Sequence, residues 1–97
     1  MKNILEIFST EEYERKLLLK HNVEMYEVEE VIFEDAPKFK HVEKGIKIER
    51  EDKYRILGQT NSGRYLVVFF LYKLDGRALI VSARDMAEKE RKQYERK

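Results

Sequence analysis

Two hydrophobic rhythms run along this chain, and the switch between them predicts its elements. The opening "NILEIF" is a short apolar run that reads as a first strand. Ser9 or Thr10 then offers an N-cap, and "STEE" reads as a capping box closed by Glu12. Tyr13, Leu17 and Leu18 follow on one helical face, and Asn22 is suited to the left-handed turn that ends a helix. Met25, Val28, Val31 and Ile32 keep helical spacing and predict a second helix over about Glu24–Phe33, stopped before Pro37. Side chains alternate through "KFKHVEKGIKIERED", which predicts a short strand or an irregular hairpin.

From Tyr54 the period becomes two. "YRILGQT", "RYLVVFFLY" and "RALIVSA" are rich in β-branched and aromatic residues, with turns at Asn61-Ser62-Gly63 and Asp75-Gly76. "YLVVFFL" is apolar on both faces, the mark of a central strand covered on each side. Asp85 with Glu88 repeats the capping pattern and predicts a last helix to the C-terminus, with Met86 and Tyr94 its only sizeable apolar residues. The expected order is β-α-α-β-β-β-α. This is an α+β domain, an antiparallel β-sheet meander with two N-terminal helices and one C-terminal helix.

Composition narrows the class. With 97 residues and no Pro/Gly-rich linker, one domain over residues 1–97 is expected, with a stability of about 5–10 kcal/mol. There is no cysteine for disulfides or thiolate metal sites, no signal-peptide pattern in "MKNILEIF", and no run of the ~20 apolar residues that a bilayer requires. A cytoplasmic protein without membrane contact is expected. The net charge of +1 conceals a split. Residues 1–35 hold four Lys/Arg against ten Asp/Glu, a net −6, and residues 36–97 hold sixteen against nine, a net +7. A basic half of that kind attracts polyanions, although Lys/Glu-rich surfaces also occur on heat-tolerant proteins.

Several chemistries drop out. The four glycines are scattered and form no phosphate loop, and no elbow motif surrounds Ser9, Ser62 or Ser82. His21 and His41 lack metal-ligand spacing, and Glu51-Asp52 reads as a solvated loop rather than a cation site. No metal and no cofactor are expected. Arginines and lysines at turns and strand ends remain. Arg64 opens the central strand, Arg77 opens the next, Arg84 ends it, and Lys53 and Arg55 flank the first strong strand. Antiparallel pairing brings Arg64 and Arg84 to one edge, and Arg91, seven residues on, falls near the same helical face. Such forks bind phosphate; taken singly, each arginine is an ordinary surface ion-pair partner.

These pieces resemble a known family. Lys20-His21-Asn22-Val23, the acidic "EVEEVIFED", Gly63-Arg64, Ser82-Ala83-Arg84 and Glu90-Arg91 with Tyr94 are similar, in order and spacing, to the BrnT toxins, from about Arg15 onward. Asn22 stands where the family's turn has glycine, and Asp52-Lys53 where many members have Glu-Arg. The resemblance implies a RelE-like fold and a metal-independent endoribonuclease that halts translation. It also implies a cognate antitoxin with a ribbon-helix-helix DNA-binding part, in a hetero-oligomer, expected as a heterotetramer.

Cleavage of RNA without a metal requires a base for the 2′-hydroxyl, charge stabilisation at phosphorus and an acid for the leaving oxygen. On this reading Arg64 and Arg84 form the clamp, Glu51, Asp52 or Lys53 is the base, and Arg91 or Tyr94 lies beside the leaving oxygen. Arg55, Arg77 and His21 contact RNA, His21 being a helix-end cap in the plainer reading. The competing class is a non-catalytic module that binds nucleic acid or protein, which "KYR" and "GRYLVVFFLY" suit equally.

Overall fold

The computed structural model describes residues 4–34, 43–48, 51–73 and 75–96, without the side chains of residues 34, 43–48, 51 and 52. The elements run β1 (Glu6–Phe8), α1 (Glu11–His21), α2 (Met25–Glu29), a π-helical turn (Glu30–Glu34), β2 (Glu43–Ile48), β3 (Glu51–Gln59), β4 (Tyr65–Tyr72), β5 (Arg77–Asp85) and α3 (Glu88–Glu95).

Helix α1 begins at Thr10, whose hydroxyl accepts the Tyr13 N–H at 3.1 Å. The expected capping box is absent, because Ser9 is outside the helix and donates to the Ile80 carbonyl at 2.8 Å. Asn22 closes the helix at φ 54°, as its short polar side chain favours, and the next N–H, of Val23, returns to the Leu17 carbonyl at 3.1 Å. That return buries Leu17 and Val23 together. The second helix is shorter than its periodicity implied. It loosens into the π turn, which keeps Val31 and Ile32 fully buried.

Among the described residues, five strands form one sheet in the order β1-β5-β4-β3-β2. The meander from β2 to β5 is antiparallel, but β1 pairs with β5 in parallel, so the sheet is mixed rather than wholly antiparallel. The segment around residue 45 supplies a full strand, and Glu51 and Asp52 belong to β3, opposite Ile48 and Lys47, not to a loop. Residues 35–42, with Pro37 and His41, lie outside the described residues.

Strand β4 sits at the centre and sends alternate residues to two cores. Leu66, Val68 and Phe70 meet Leu17, Val23, Val28 and Ile32 from the α1/α2 layer. Val67 joins Leu57 and Tyr94 under α3 on the opposite face. Each such side chain contributes about 1.5–3 kcal/mol when fully buried.

One irregularity decides where the site lies. Phe69 pairs with Ser82 and Phe70 with Ile80, leaving Val81 as an extra residue in β5. Strict alternation from Ala78 and Ile80 would send Ser82 and Arg84 into the α1/α2 core. The bulge reverses the alternation, so Ala83 enters that core and Arg84, paired with Val67, emerges beneath α3. Strand β5 also outlasts its expected end, since Asp85 pairs with Leu66 and the Met86 N–H reaches the Tyr65 carbonyl at 3.1 Å. Helix α3 therefore starts after Ala87, not at Asp85.

Candidate active site: a cationic sheet face beside α3

Register places Arg55 opposite Phe69, and strand pleating puts Lys53, Arg55 and Leu57 on one side of β3. Phe69 is half-buried, and its ring carries two cations. The Lys53 ammonium lies 5.3 Å from the ring centroid and the Arg84 guanidinium 5.5 Å. Lys53, Arg55 and Arg84 thus surround one aromatic platform, an arrangement worth about 0.5–1 kcal/mol per cation–π contact at exposed sites.

Glu90 binds two of these cations. Its carboxylate accepts both Arg84 Nη1 and Nη2 at 2.8 Å and Arg55 Nη1 at 3.1 Å, and also the Ala87 N–H at 2.8 Å. The last bond satisfies a backbone donor in the first turn of α3. Hydrogen bonds from Arg84 hold the Glu90 carboxyl below its ordinary range, and Glu90 in turn raises Arg84. Neither sequence spacing nor the family pattern singled out Glu90 as a partner of Arg84. The signal was its place at the third helical position after the N-cap, where a carboxylate turns back towards the preceding strand.

Arg64 is elsewhere. It lies at the same end of the sheet as Arg84 but on the α1/α2 side, so the two do not form one clamp. Its Nη1 donates to the Asn22 carbonyl at 2.7 Å and to Glu27 at 3.1 Å, and Nη2 to the His21 carbonyl at 3.0 Å. Its Nε reaches Asp85 Oδ1 at 2.8 Å and Nη2 reaches Oδ2 at 3.4 Å. All five donors have acceptors within the protein, and the bond to Asp85 leads the upward shift of the group.

The other expected site residues scatter. His21 ends α1, where its carbonyl serves Arg64. Arg77 is at the far end of β5, bonded to Asp75 at 2.8 Å and stacked on Phe8 at 4.7 Å. Arg91 follows a strand and a turn, so the seven-residue helical spacing from Arg84 does not apply. Its guanidinium covers Tyr65 at 4.0 Å and pairs with Glu95 at 3.5 Å. Tyr94 is 4% exposed and docks α3 edge-on against Tyr65. Glu51 and Asp52 are placed by their backbone only.

Among the described residues, no group of three or more His, Asp or Glu is arranged to hold a metal ion, and no helix is long and apolar enough to cross a membrane. A groove of about 300 Å³ lies beside α1 and the start of α2, lined by Glu14, Arg15, Leu18, Val23, Glu24 and Met25. It is on the opposite side of the sheet from the Phe69 cations, and its acidic rim disfavours phosphate.

The comparisons with known proteins agree with this architecture. No curated protein matches the chain. The crystal structure of the Brucella abortus ribonuclease toxin BrnT superposes with a TM-score of 0.61 at 17% identity, covering 86% of this chain and 97% of that one. This likeness establishes a shared α+β fold. The model of the family "Ribonuclease toxin, BrnT, of type II toxin-antitoxin system" matches residues 10–90. The chain therefore belongs to the BrnT ribonuclease toxins of type II toxin–antitoxin systems, whose members act on RNA and are paired with an antitoxin.

Proposed function

We propose that this single RelE-like domain is a cytoplasmic, metal-independent endoribonuclease that stops translation, and that its cutting surface is the Phe69 face beside α3. The observation that carries this reading is the grouping of Lys53, Arg55 and Arg84 around a half-buried ring on the α3 side of the sheet. The ring holds its cations together on one face of the sheet, where their charge attracts and neutralises the phosphates of an RNA strand.

In the proposed reaction a base removes the 2′-hydroxyl proton, the 2′-oxygen bonds to phosphorus, and the P–O5′ bond breaks as the 5′-oxygen takes a proton. The products are a 2′,3′-cyclic phosphate and a 5′-hydroxyl. Arg84 stabilises the pentavalent anion with Arg55 beside it. In this proposal Lys53 protonates the leaving oxygen, and Glu51, two residues before it on the same strand, is the base. Arg91 and Tyr94 serve to hold α3, and Arg64, with every donor used, ties the α1/α2 layer to the sheet.

The antitoxin is proposed to carry a ribbon-helix-helix DNA-binding part and to form a hetero-oligomer with the toxin. Expression of the chain alone should arrest growth and fragment RNA, and the purified protein should cut RNA equally well with a chelator present. Cleavage that ceases with chelation would contradict the metal-independent mechanism. Healthy cells with intact RNA would contradict toxicity.

A further inference from the structure

A carboxylate in contact with two cations of an RNA-cleaving surface is a puzzle, because it competes with phosphate for the same donors. The donor inventory of Arg84 resolves it. The Nη1–Nη2 end of the guanidinium faces Glu90, with both bonds at 2.8 Å. The remaining Nη1 hydrogen goes to the Asp85 carbonyl at 3.1 Å. Among the described residues, Nε–H and the second Nη2 hydrogen have no protein acceptor. These two hydrogens lie parallel on one side of the planar group, the geometry that receives two oxygens of one phosphate. The central carbon of the same group lies over the Phe69 ring, 5.5 Å from its centroid. Glu90 therefore occupies one edge of Arg84 and leaves the other presented.

Glu90 is itself fixed. Its side chain is 12% exposed, and the Ala87 N–H and Arg55 hold it from two further directions. With the carboxyl held below its ordinary range, it stays charged throughout the neutral range. A free arginine would pay rotamer entropy at each turnover to reach the phosphate, whereas a splinted one is already aimed.

We propose that Glu90 is a positioning residue for RNA cleavage, splinting Arg84 through its Nη1–Nη2 end so that the Nε–Nη2 edge meets the scissile phosphate. This inference rests on the α3 face being the cutting surface, and the test separates the two claims. Cleavage of one RNA oligonucleotide would be measured for the parent, Glu90→Gln, Arg84→Ala and the double variant, with kcat and KM resolved. The expected result is a tenfold or greater fall in kcat for Glu90→Gln, with KM unchanged or lowered because a negative charge has left the surface. In the Arg84→Ala background the same change should have little further effect, since its target is gone.

Losses that multiply in the double variant would mean a merely structural role and would overturn the proposal. So would a kcat that stays level or rises in Glu90→Gln while Arg84→Ala is slow, since Glu90 would then be inert or a plug. If Arg84→Ala cuts at the parental rate, the reading of the α3 face fails instead. Glu90→Asp keeps the charge but shortens the reach, and NMR relaxation of the Arg84 Nε–H reports the splint without activity. That group should be rigid in the parent and mobile in Glu90→Asp; equal mobility in both would also overturn the proposal.

Discussion

Arg64 and Arg84 look alike as residues at strand ends, and their surroundings give them different work. Arg64 has an acceptor for each of its five donors, drawn from α1, α2 and β5. Removing it takes the charged partner from Glu27, which is 11% exposed at the side chain and keeps, among the described residues, only the Glu24 N–H, and frees two helix-end carbonyls. Arg64→Ala should lose about 2–3 kcal/mol of stability, the cost of stranding hydrogen-bonded charge. That corresponds to a melting midpoint lower by roughly 10 °C or more in a domain of this size. Its cleavage rate well below that midpoint should remain within a few-fold of the parent, which a thermal melt and a rate assay at low temperature check together. Phe69 predicts the opposite pattern. Phe69→Ala removes the ring that carries Lys53 and Arg84 and should raise KM for RNA by about 5- to 30-fold, the value of two cation–π contacts, while Phe69→Tyr keeps most of the affinity. The cations themselves were readable in the chain as candidates. Their grouping was not, because a guanidinium's partners depend on which face of the sheet its residue occupies.

At the scale of elements, local chemistry announced some structures and pairing decided the others. Thr10 and Asn22 bound α1 because a hydroxyl acceptor and a residue tolerant of positive φ act locally. The start of α3 was not local. Asp85 with Glu88 has the form of a helix cap, yet Asp85 continues the ladder opposite Leu66 and spends its carboxylate on Arg64. The Val81 bulge and the parallel pairing of the three-residue β1 leave no mark in a single strand's pattern. Helix α3 is held by Tyr94 and by the Glu90 ion pairs, which makes its docking sensitive to acid. The folded Glu90 carboxyl is depressed below its ordinary 4.5, so its stabilisation is complete above about that pH and fades as pH falls through the folded value. Thermal melts from pH 6 downward should show the parent losing stability below about 4.5, and Glu90→Gln losing less over that span. Equal acid slopes would remove the ion pairs from the account. In the larger core, Phe70→Ala should cost about 3–5 kcal/mol in chemical denaturation, since Phe70 is 1% exposed and lies at the centre of β4.

Across the whole molecule the charge split of the chain becomes a division between faces. The acidic first third builds the α1/α2 layer, and the basic remainder builds the sheet face where Phe69 and its cations lie. Polyanion binding then belongs to one side. Cleavage under subsaturating RNA should weaken with salt, and Lys53→Ala should flatten the logarithmic slope by roughly 0.7, one phosphate's worth for a single strand. The order of motifs along the chain was enough to indicate the family, which the match over residues 10–90 shows. The α+β class was likewise legible from the change of hydrophobic period. The mixed sheet was not, and the shared end of the sheet proved to have two sides.

The central claim is that Arg84, on the α3 side, supplies the positive charge that RNA cleavage requires. Single-turnover cutting of an RNA oligonucleotide by purified Arg84→Ala, with a chelator present and the fold verified by its melt, tests it most directly. The account predicts a rate at least about a hundredfold below the parent, the usual effect of removing one such donor. A folded Arg84→Ala that cuts at the parental rate would contradict it.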